Sequence, residues 1–246
     1  PNYAVITSIE NDHLDFYGDF KSLTESFHLF KNNVKDVLIT DAEIDIDNDF
    51  SFSIKSDTDY HVNNIKILEN GIRFDLKTPN NFYSNISANI IGLHNLKNVL
   101  AALSIIDQIK EINIKNLLPF LSNFKGIKRR MDIYKLDNKV IIDDYAHHPT
   151  EIESVFNTIQ TNYKNKSKAV IFQPHLFSRT RDFMDDFANV LSKFDEVYLL
   201  DIYAAREKPI IGVSSQNLLE KINCSKKEII DGKSIENLVL DSKIEV

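Results

Sequence analysis

The feature that most constrains the fold is an alternation of strand-like and helix-like segments in the second half of the chain. Short apolar runs alternate with longer segments in which apolar residues recur at three- and four-residue spacing. The predicted strands span residues 139–142, 169–172, 196–201 and 228–230, and the predicted helices span residues 149–163, 179–193, 215–222 and 234–240. Because right-handed crossovers join such strands side by side, the pattern predicts a parallel, doubly wound α/β sheet.

The first half of the chain is organised differently. We predict strands at residues 3–9 and 37–40 and helices at residues 19–32 and 94–111. One face of the first helix would carry Phe20, Leu23, Phe27 and Phe30. Between the helices apolar residues alternate with a period of two, and Asn70-Gly71 predicts a hairpin because a type I′ turn needs positive φ at both central positions. A predicted hinge at residues 124–126 divides the chain into domains of residues 1–126 and 127–246.

Composition excludes several classes of partner. With 43% hydrophobic and 26% charged residues, the 246-residue chain has the make-up of a globular protein with room for two modest cores. A net charge of −7 argues against a nucleic-acid or anionic-membrane partner, because both favour a basic surface. No apolar stretch approaches the roughly 18 to 20 residues that span a bilayer. Cys224 is the only cysteine, so we expect a reducing, cytoplasmic location; the sequence carries no signal for an oligomeric state.

Acidic, aromatic and imidazole side chains crowd the segment DDYAHHPTE, residues 143–151. The segment follows the predicted strand at residues 139–142 and leads into a helix that opens at Pro149, a residue favoured in the first helical turn. Such a cluster fills a core poorly and is suited to holding a charged ligand. Since open parallel sheets bind ligands at the carboxyl ends of their strands, we predict a ligand site here.

A second strand end carries a similar signal. The segment QPHLFSRT, residues 173–180, follows the predicted strand at residues 169–172. Arg179 would lie at a helix start, where the positive end of the helix dipole disfavours a cation, so we favour an anionic ligand beside it. The run Lys128-Arg129-Arg130, just past the hinge, would provide cationic clamps for a ligand or form a solvated basic linker.

Two clusters in the first half leave alternatives open. The segment DHLD, residues 12–15, could bind a divalent cation through imidazole and carboxylate groups, or its acids could cap the next helix. His94, Asn95 and Asn98 occupy the first turn of the long helix, where they could read the edge of a base or cap the helix N-terminus. The glycines are scattered, and the chain contains neither GxGxxG nor GxxxxGKS/T, so it has no glycine-rich phosphate loop.

Six motifs in this order resemble the Mur ligases, ATP-dependent enzymes that form amide bonds in peptidoglycan precursor synthesis. The motifs are IENDHLDFYGDF, GLHNLKNVLAAL, FKGIKRRMD, DDYAHHPTEI, FQPHLFSRTRDF and DIYAAREKPIIG, and they span nearly the whole chain. Within the family, DDYAHHPTE together with QPHxxxRT points to the branch that joins L-alanine to UDP-N-acetylmuramate. A related ligase that reattaches murein tripeptide also carries an AHHPT segment and stays an alternative.

The resemblance implies a fold, a reaction and a set of ligands. The fold would be the C-terminal part of the family's central ATPase domain followed by its Rossmann-like domain. UDP-N-acetylmuramate and L-alanine would be the substrates, with ATP and Mg²⁺ as cofactors. The lactyl carboxylate is first phosphorylated, and the alanine amine then attacks the acyl phosphate, so that catalysis consists mainly of positioning and charge stabilisation.

The resemblance also implies roles for individual residues. His13 would bind magnesium, and the side chains around the adenine would be those of His94, Asn95 and Asn98. Near the rest of the nucleotide would lie Arg129 or Arg130, Asp144 at the ribose and Tyr145 at the base. The side chains that face the acyl phosphate and the incoming amino acid would be those of His147, His175 and Arg179. Leu176 stands where many relatives have an arginine.

The chain departs from the family pattern at both ends. Family members carry an N-terminal sugar-nucleotide domain and a GxxGKT-type phosphate loop, which these 246 residues lack. We therefore expect a fragment that begins inside the central domain, ends as an apolar strand starts at residues 243–246, and is inactive by itself. Two other classes stay open: a metal-dependent hydrolase that uses the DHLD and DDYAHH clusters, and a non-catalytic nucleotide-binding module.

Overall fold

A computed structural model describes residues 1–11, 14–68, 71–241 and 243–246. The chain forms two compact units, Pro1–Gly126 and Ile127–Val246. No helix among the described residues is long and apolar enough to cross a membrane. Mixed α/β structure with parallel strands confirms the predicted fold class.

The first unit is built on a six-stranded sheet in the order β1-β2-β3-β4-β5-β6. Its strands are β1 (Tyr3–Ile6), β2 (Val37–Asp41), β3 (Phe50–Ser53), β4 (Tyr60–Leu68), β5 (Gly71–Lys77) and β6 (Phe82–Ala88). Its helices are α1 (Leu14–Tyr17), α2 (Phe20–Asn32) and α3 (Leu93–Asp107), followed by two 3-10 segments at Ile114–Asn116 and Leu118–Asn123. The first four strands pair in parallel and the last two antiparallel.

Helix α3 packs its apolar side chains against this sheet and ends four residues before the predicted end. The main core comprises, among others, Ile39, Phe52, Tyr60, Phe74, Leu96 and Leu100. Helix α2 begins where Asp19 accepts a hydrogen bond from the Ser22 N–H at 2.7 Å, a side-chain N-cap. On its predicted apolar face, Leu23 is buried, whereas Phe20 and Phe30 are 46% and 39% exposed.

The predicted hairpin is present as strands β4 and β5, which pair antiparallel with Leu68 opposite Gly71. Asn70 lies outside the described residues. Gly71 belongs to β5 and has φ of +153°, and a Cβ atom there would approach the Ala88 carbonyl oxygen to 2.4 Å. The glycine is therefore required by the close approach of β6. Strand β6 itself was not predicted, because its apolar residues show no regular alternation.

The second unit contains a three-stranded parallel sheet and a separate antiparallel hairpin. The hairpin consists of β7 (Asp132–Leu136) and β8 (Lys139–Asp143), and the sheet has the order β11-β10-β9, with β9 (Ala169–Phe172), β10 (Glu196–Leu199) and β11 (Lys226–Ile229). The helices are α4 (Pro149–Asn162), α5 (Phe177–Asp182), α6 (Met184–Leu191), α7 (Ser215–Lys221) and α8 (Ile235–Asp241). Pairing of β8 with the unpredicted strand β7 is the main difference from the expected sheet.

The single helix predicted for residues 179–193 is divided into α5 and α6. Phe183 leaves helical geometry, with φ of −115° and ψ of 22°, and serves as the N-cap of α6. Asp185 and Asp186 then lie in the first turn of α6, where carboxylates favour the start of a helix. Helix α5 begins two residues earlier than predicted, so Arg179 lies in its first turn.

Residues 243–246 lie between β8 and β9. The Glu245 carbonyl accepts a hydrogen bond from the Val140 N–H at 2.8 Å, and the Val246 carbonyl accepts one from the Ala169 N–H at 2.9 Å. This segment therefore connects the β7-β8 hairpin to the parallel sheet by backbone hydrogen bonds. An apolar cavity of about 220 Å³ adjoins it, lined by residues of β8, β9 and α4.

Candidate functional site

The segments that follow β8 and β9 carry five of the eleven predicted site residues, namely Asp144, Tyr145, His147, His175 and Arg179. The Asp144 carboxylate accepts hydrogen bonds from the backbone N–H groups of Met131 and Ala146, at 2.9 and 2.8 Å. The Tyr145 N–H donates to the Arg129 carbonyl at 2.9 Å. These contacts fix the loop after β8 against the segment before β7. They bring the Arg129 guanidinium over the Tyr145 ring, 4.5 Å from its centroid.

Both predicted arginines lie near the same ring. The Arg130 guanidinium is 6.0 Å from the Tyr145 centroid, and its side chain is 3.8 Å from the Glu151 carboxylate. Arg129 has φ of +59°, an uncommon backbone conformation for an arginine. Tyr145 is 50% exposed, so its ring and the two guanidinium groups together form an open cationic and aromatic surface.

The two adjacent histidines have different roles. His148 is buried and is the N-cap of α4, in a capping box that it forms with Glu151. His147 points its Nδ1 at the Tyr145 carbonyl, 2.9 Å away. A carbonyl can only accept, so Nδ1 carries the proton, and the neutral ring keeps its lone pair on Nε2. The Glu151 carboxylate also lies 3.4 Å from the His147 Nδ1 and accepts the His147 N–H at 2.8 Å.

His175 and Arg179 contact each other on the loop after β9. The Arg179 guanidinium donates to the His175 Nδ1 at 3.2 Å, so the neutral His175 ring carries its proton on Nε2. Burial lowers the pKa of His175 below its ordinary value, and the positive charges of Arg179 and Arg206 and the neighbouring His147 act in the same direction. Arg179 is itself 7% exposed, so its charge is fixed in place.

The loop after β10 supports this arrangement from the other side. Its backbone pairs in parallel with the loop after β9, through the Leu176 N–H to the Tyr203 carbonyl at 3.0 Å and the Tyr203 N–H to the Pro174 carbonyl at 2.8 Å. The Tyr203 ring stacks on the His175 ring, with centroids 5.6 Å apart and planes 20° apart. The His147 and His175 ring centroids are 6.2 Å apart with planes at 67°, so the two imidazoles are neighbours in an edge-to-face arrangement.

These contacts bring together seven of the predicted site residues, namely Asp144, Tyr145, Arg129, Arg130, His147, His175 and Arg179. Chemically the cluster offers an acceptor at the His147 Nε2, a donor at the His175 Nε2 and a fixed cation at Arg179. Such a combination suits an anionic substrate that loses or gains a proton nearby. Sequence reasoning missed Glu151, Tyr203 and Glu207, although all three lie in the quoted motifs.

The predicted adenine residues lie in the first two turns of α3, His94 and Asn95 in the first turn and Asn98 in the second. The N-cap residue is Gly92, without a side-chain cap hydrogen bond, so the capping interpretation of this cluster is wrong. The Asn95 amide donates to the Ile91 carbonyl at 2.8 Å, and Asn98 is exposed. Lys97 of the same helix forms an ion pair of 2.8 Å with Asp41, whose carboxylate is buried.

The predicted metal ligand His13 lies outside the described residues, as does Asp12. Within the described ranges, no group of three or more His, Cys, Asp and Glu side chains is arranged to hold a metal ion. Of the DDYAHH side chains, Asp144 and His147 form hydrogen bonds with the backbone, and His148 caps α4. No feature of this cluster favours the hydrolase alternative.

Comparison with known proteins assigns both halves of the chain to one family. The Mur ligase middle domain matches residues 1–106, and the domain described as Mur ligase, glutamate ligase domain, matches residues 129–241. UDP-N-acetylmuramate–L-alanine ligases of Christiangramia forsetii and Flavobacterium psychrophilum are 44% and 40% identical, over 100% and 94% of this chain. The chain spans about half the length of these relatives, 55% and 52%.

Solved structures show the same fold. The crystal structure of UDP-N-acetylmuramate–alanine ligase from Thermotoga maritima has a TM-score of 0.76 at 24% identity and covers 100% of this chain and 54% of that one. A second ligase from that organism, MurF, solved in complex with ADP, has a TM-score of 0.73 at 17% identity, over 100% of this chain and 57% of that one. Two domain matches in family order, on a chain with this fold, show that the protein belongs to the Mur ligase family.

Proposed function

We propose that the protein takes part in the ATP-dependent ligation of L-alanine to UDP-N-acetylmuramate, in a reducing, cytoplasmic setting. The observation that carries the proposal is the grouping of His147, His175 and Arg179 at the carboxyl ends of β8 and β9. This grouping occurs in a Mur ligase chain whose curated relatives bear that activity in their names. The murein tripeptide ligase alternative has no such support among these relatives.

Arg179 would stabilise the negative charge of the acyl phosphate. Its guanidinium is nearly buried and tied to the His175 Nδ1, so it needs little reorganisation when charge develops. The Nε2–H of His175 would donate a hydrogen bond to an oxygen of the same group. Because the pKa of His175 is lowered, the ring stays neutral near neutral pH and keeps this donor without adding a second charge.

His147 would accept the proton that the alanine nitrogen loses. As the amine attacks the acyl carbon, the new C–N bond forms, the C–O bond to phosphate breaks, and inorganic phosphate leaves. The excess proton on nitrogen passes to the His147 Nε2, the lone pair that the Tyr145 carbonyl leaves available. Glu151, beside the His147 Nδ1, would stabilise the imidazolium until the proton reaches solvent.

Each unit carries residues proposed for nucleotide recognition. In the first unit, Asn98 and His94 would contact the adenine from the first two turns of α3. In the second, Arg129, Arg130 and Tyr145 provide the cationic and aromatic surface, and Asp144 would reach the ribose. ATP would supply the phosphoryl group, and His13 would hold the Mg²⁺ that neutralises its charge. A related fold solved with ADP supports a nucleotide in this architecture.

The proposal is tested with a chimeric ligase in which these 246 residues replace the matching segment of the Christiangramia forsetii enzyme. We expect this chimera to form UDP-N-acetylmuramyl-L-alanine, detected by mass spectrometry, with one phosphate released per product. D-glutamate in place of L-alanine should give no product. A chimera with native circular dichroism that ligates another amino acid, or none, would reject the proposed function.

A control uses the 246-residue chain alone. Phosphoryl transfer needs backbone N–H groups and a lysine around the β- and γ-phosphates, and this sequence has no GxxxxGKS/T loop to provide them. We expect no ATP hydrolysis, with or without the two substrates. Magnesium-dependent phosphate release by the purified chain, abolished by His13→Ala, would instead support the hydrolase alternative.

A further inference from the structure

The Glu207 carboxylate links the loop after β10 to the start of α5. One carboxylate oxygen accepts the Ser178 N–H at 2.9 Å, and the other accepts the Ser178 hydroxyl at 2.5 Å. Ser178 is the residue before Arg179 and lies three positions after His175. A two-oxygen contact of this kind fixes both the position and the orientation of the helix start.

The loop that Glu207 holds contains a strained residue. Leu176, the N-cap of α5, has φ of +70°, which is uncommon for a branched side chain and costs free energy. It is nevertheless buried, and its carbonyl accepts both the N–H and the hydroxyl of Thr180. The backbone conformation at Leu176 directs His175 and Arg179 toward each other, so surrounding contacts must maintain it.

The loop after β10 is itself rigid enough to serve as a support. The Glu207 N–H donates to the Ala204 carbonyl at 2.9 Å, which closes a tight turn, and the preceding Tyr203 pairs its backbone with Pro174 and Leu176. Its ring also stacks on His175. The two loops therefore share a backbone bridge at one end and the Glu207–Ser178 contact at the other.

We propose that Glu207 is a positioning residue that acts through Ser178 to hold His175 against Arg179. It need not touch substrate; it keeps the strained loop in the one conformation in which the two side chains meet. The effect of Glu207 on catalysis rests on the proposed ligase function, whereas its positioning of His175 does not depend on that function. An experiment can therefore reject the positioning role and the catalytic effect separately.

The charge of Glu207 gives a way to separate positioning from simple electrostatics. Around His175, burial and the charges of Arg179, His147 and Arg206 lower its pKa, whereas Glu207 raises it. Removing only the negative charge must therefore lower the pKa of His175 further. Releasing the loop must raise it toward the ordinary value of 6.5, because the ring becomes more exposed and loses Arg179.

The experiment follows the His175 ring resonances of the complete 246-residue chain by NMR while the pH is changed through the histidine range, with His175→Gln for assignment. In Glu207→Gln the amide can replace both contacts to Ser178, so we expect the pKa of His175 to stay low or fall. In Glu207→Ala both contacts to Ser178 are lost, so we expect the pKa of His175 to rise. Glu220→Ala, an exposed glutamate on α7, is the matched control and should leave it unchanged.

Two results would overturn the inference. A fall of the His175 pKa in Glu207→Ala equal to that in Glu207→Gln would make Glu207 only a charged neighbour. A lower melting temperature without any change at His175 would make it only a structural contact. If Glu207→Ala does not fold, Ser178→Ala provides the same test, since it removes the hydroxyl that one carboxylate oxygen binds, and we expect a smaller rise.

The consequence for catalysis is measured in the chimeric ligase. Glu207→Ala should lower kcat by up to about 10²-fold through misplacement of Arg179, and Glu207→Gln should restore most of it. Equal loss in both variants would show that the carboxylate charge matters to the reaction in another way. An inactive parent chimera would leave the titration result standing and would reject only the proposed function.

Discussion

The two units hold their candidate site residues in different ways. In the second unit each side chain proposed to act on the reacting groups is fixed by a contact that sets its chemistry: His147 by the Tyr145 carbonyl, and His175 by Arg179. In the first unit the start of α3 is held by the ion pair between the partly buried Lys97 and the buried Asp41, while Asn98 is exposed. The contacts in the second unit orient functional side chains, whereas those in the first unit position the start of helix α3.

This difference matches what each unit is proposed to do. Stabilising charge as it develops requires donors and cations that are already in place, because reorganisation would cost free energy at the moment of reaction. Recognising a base requires only that one or two side-chain amides form hydrogen bonds with the edge of the rigid ring. We therefore expect substitutions in the second unit to affect turnover, and those in the first to affect nucleotide affinity or stability.

The largest effect is expected at Arg179. Arg179→Met keeps the buried volume and removes the charge, and we expect kcat of the chimeric ligase to fall by at least about 10²-fold. Arg179→Lys should recover only part of the lost kcat, because an ammonium cannot reproduce the planar guanidinium contact to the His175 Nδ1. Steady-state kinetics with L-alanine as the varied substrate measures kcat of both variants. Unchanged turnover in a folded Arg179→Met variant would remove this residue from the site.

The next effect is expected at Asn98, and it tests the first unit. Asn98→Ala should raise the Michaelis constant for ATP in the chimera by an amount that corresponds to about 1 to 3 kcal/mol, since a polar group on the base would lose its partner. The constant for alanine should hardly change, and neither should the melting temperature, because Asn98 is exposed. Equal increases for both substrates would contradict a role in reading the base.

Asn95 provides the contrast within the same helix. Its amide donates to the Ile91 carbonyl, so Asn95→Ala should cost about 0.5 to 1.5 kcal/mol of stability in addition to any effect on ATP. A variant that loses ATP affinity as strongly as Asn98→Ala with no loss of stability would show that the Asn95 amide faces the ligand instead.

The Lys97–Asp41 ion pair should contribute to stability and not to turnover. Lys97→Met removes the cation beside the Asp41 carboxylate, which is 3% exposed and keeps the hydrogen bond from the Glu43 N–H, and this loss should cost about 1 to 3 kcal/mol of stability. Urea unfolding of the 246-residue chain measures this. The matched control is Lys115→Met, an exposed lysine of the same unit, which should change stability by less than about 0.5 kcal/mol. Similar losses of stability in Lys97→Met and Lys115→Met would show that the ion pair does not stabilise the fold.

Local signals made much of the fold predictable. Strand β9 and helix α4 were predicted within one residue, because an apolar run and a proline-led amphipathic stripe mark them directly. Strands β6 and β7 were missed, since few of their residues are buried and each depends on pairing with a neighbouring strand. The break at Phe183 was missed because neither glycine nor proline marks it.

For the site, the residue types were predictable and their division of labour was not. Sequence alone could not tell that His148 caps α4 while His147 faces the site, because that depends on the backbone direction after β8. Glu207 and Tyr203 gave no local signal, since their partners lie about 30 residues earlier in the chain. Long-range contacts of this kind become visible only once the parallel strands have been aligned.

The smallest effect is expected in the pH dependence of stability, and it tests how firmly the second unit holds His175. The folded pKa of His175 lies below the ordinary value of 6.5, so between the two values the unfolded chain binds more protons than the folded one. The free energy of unfolding should therefore fall as the pH drops through 6.5, and the loss should be complete below the folded pKa. His175→Gln lacks this contribution, so wild type should lose stability relative to the variant on acidification.

Urea unfolding of both proteins, followed through amide resonances of β9 and α5 on each side of pH 6.5, measures the difference in stability between wild type and His175→Gln. A constant difference across this range would mean that the ring is no more buried in solution than in the unfolded chain, and it would weaken the contrast between the two units.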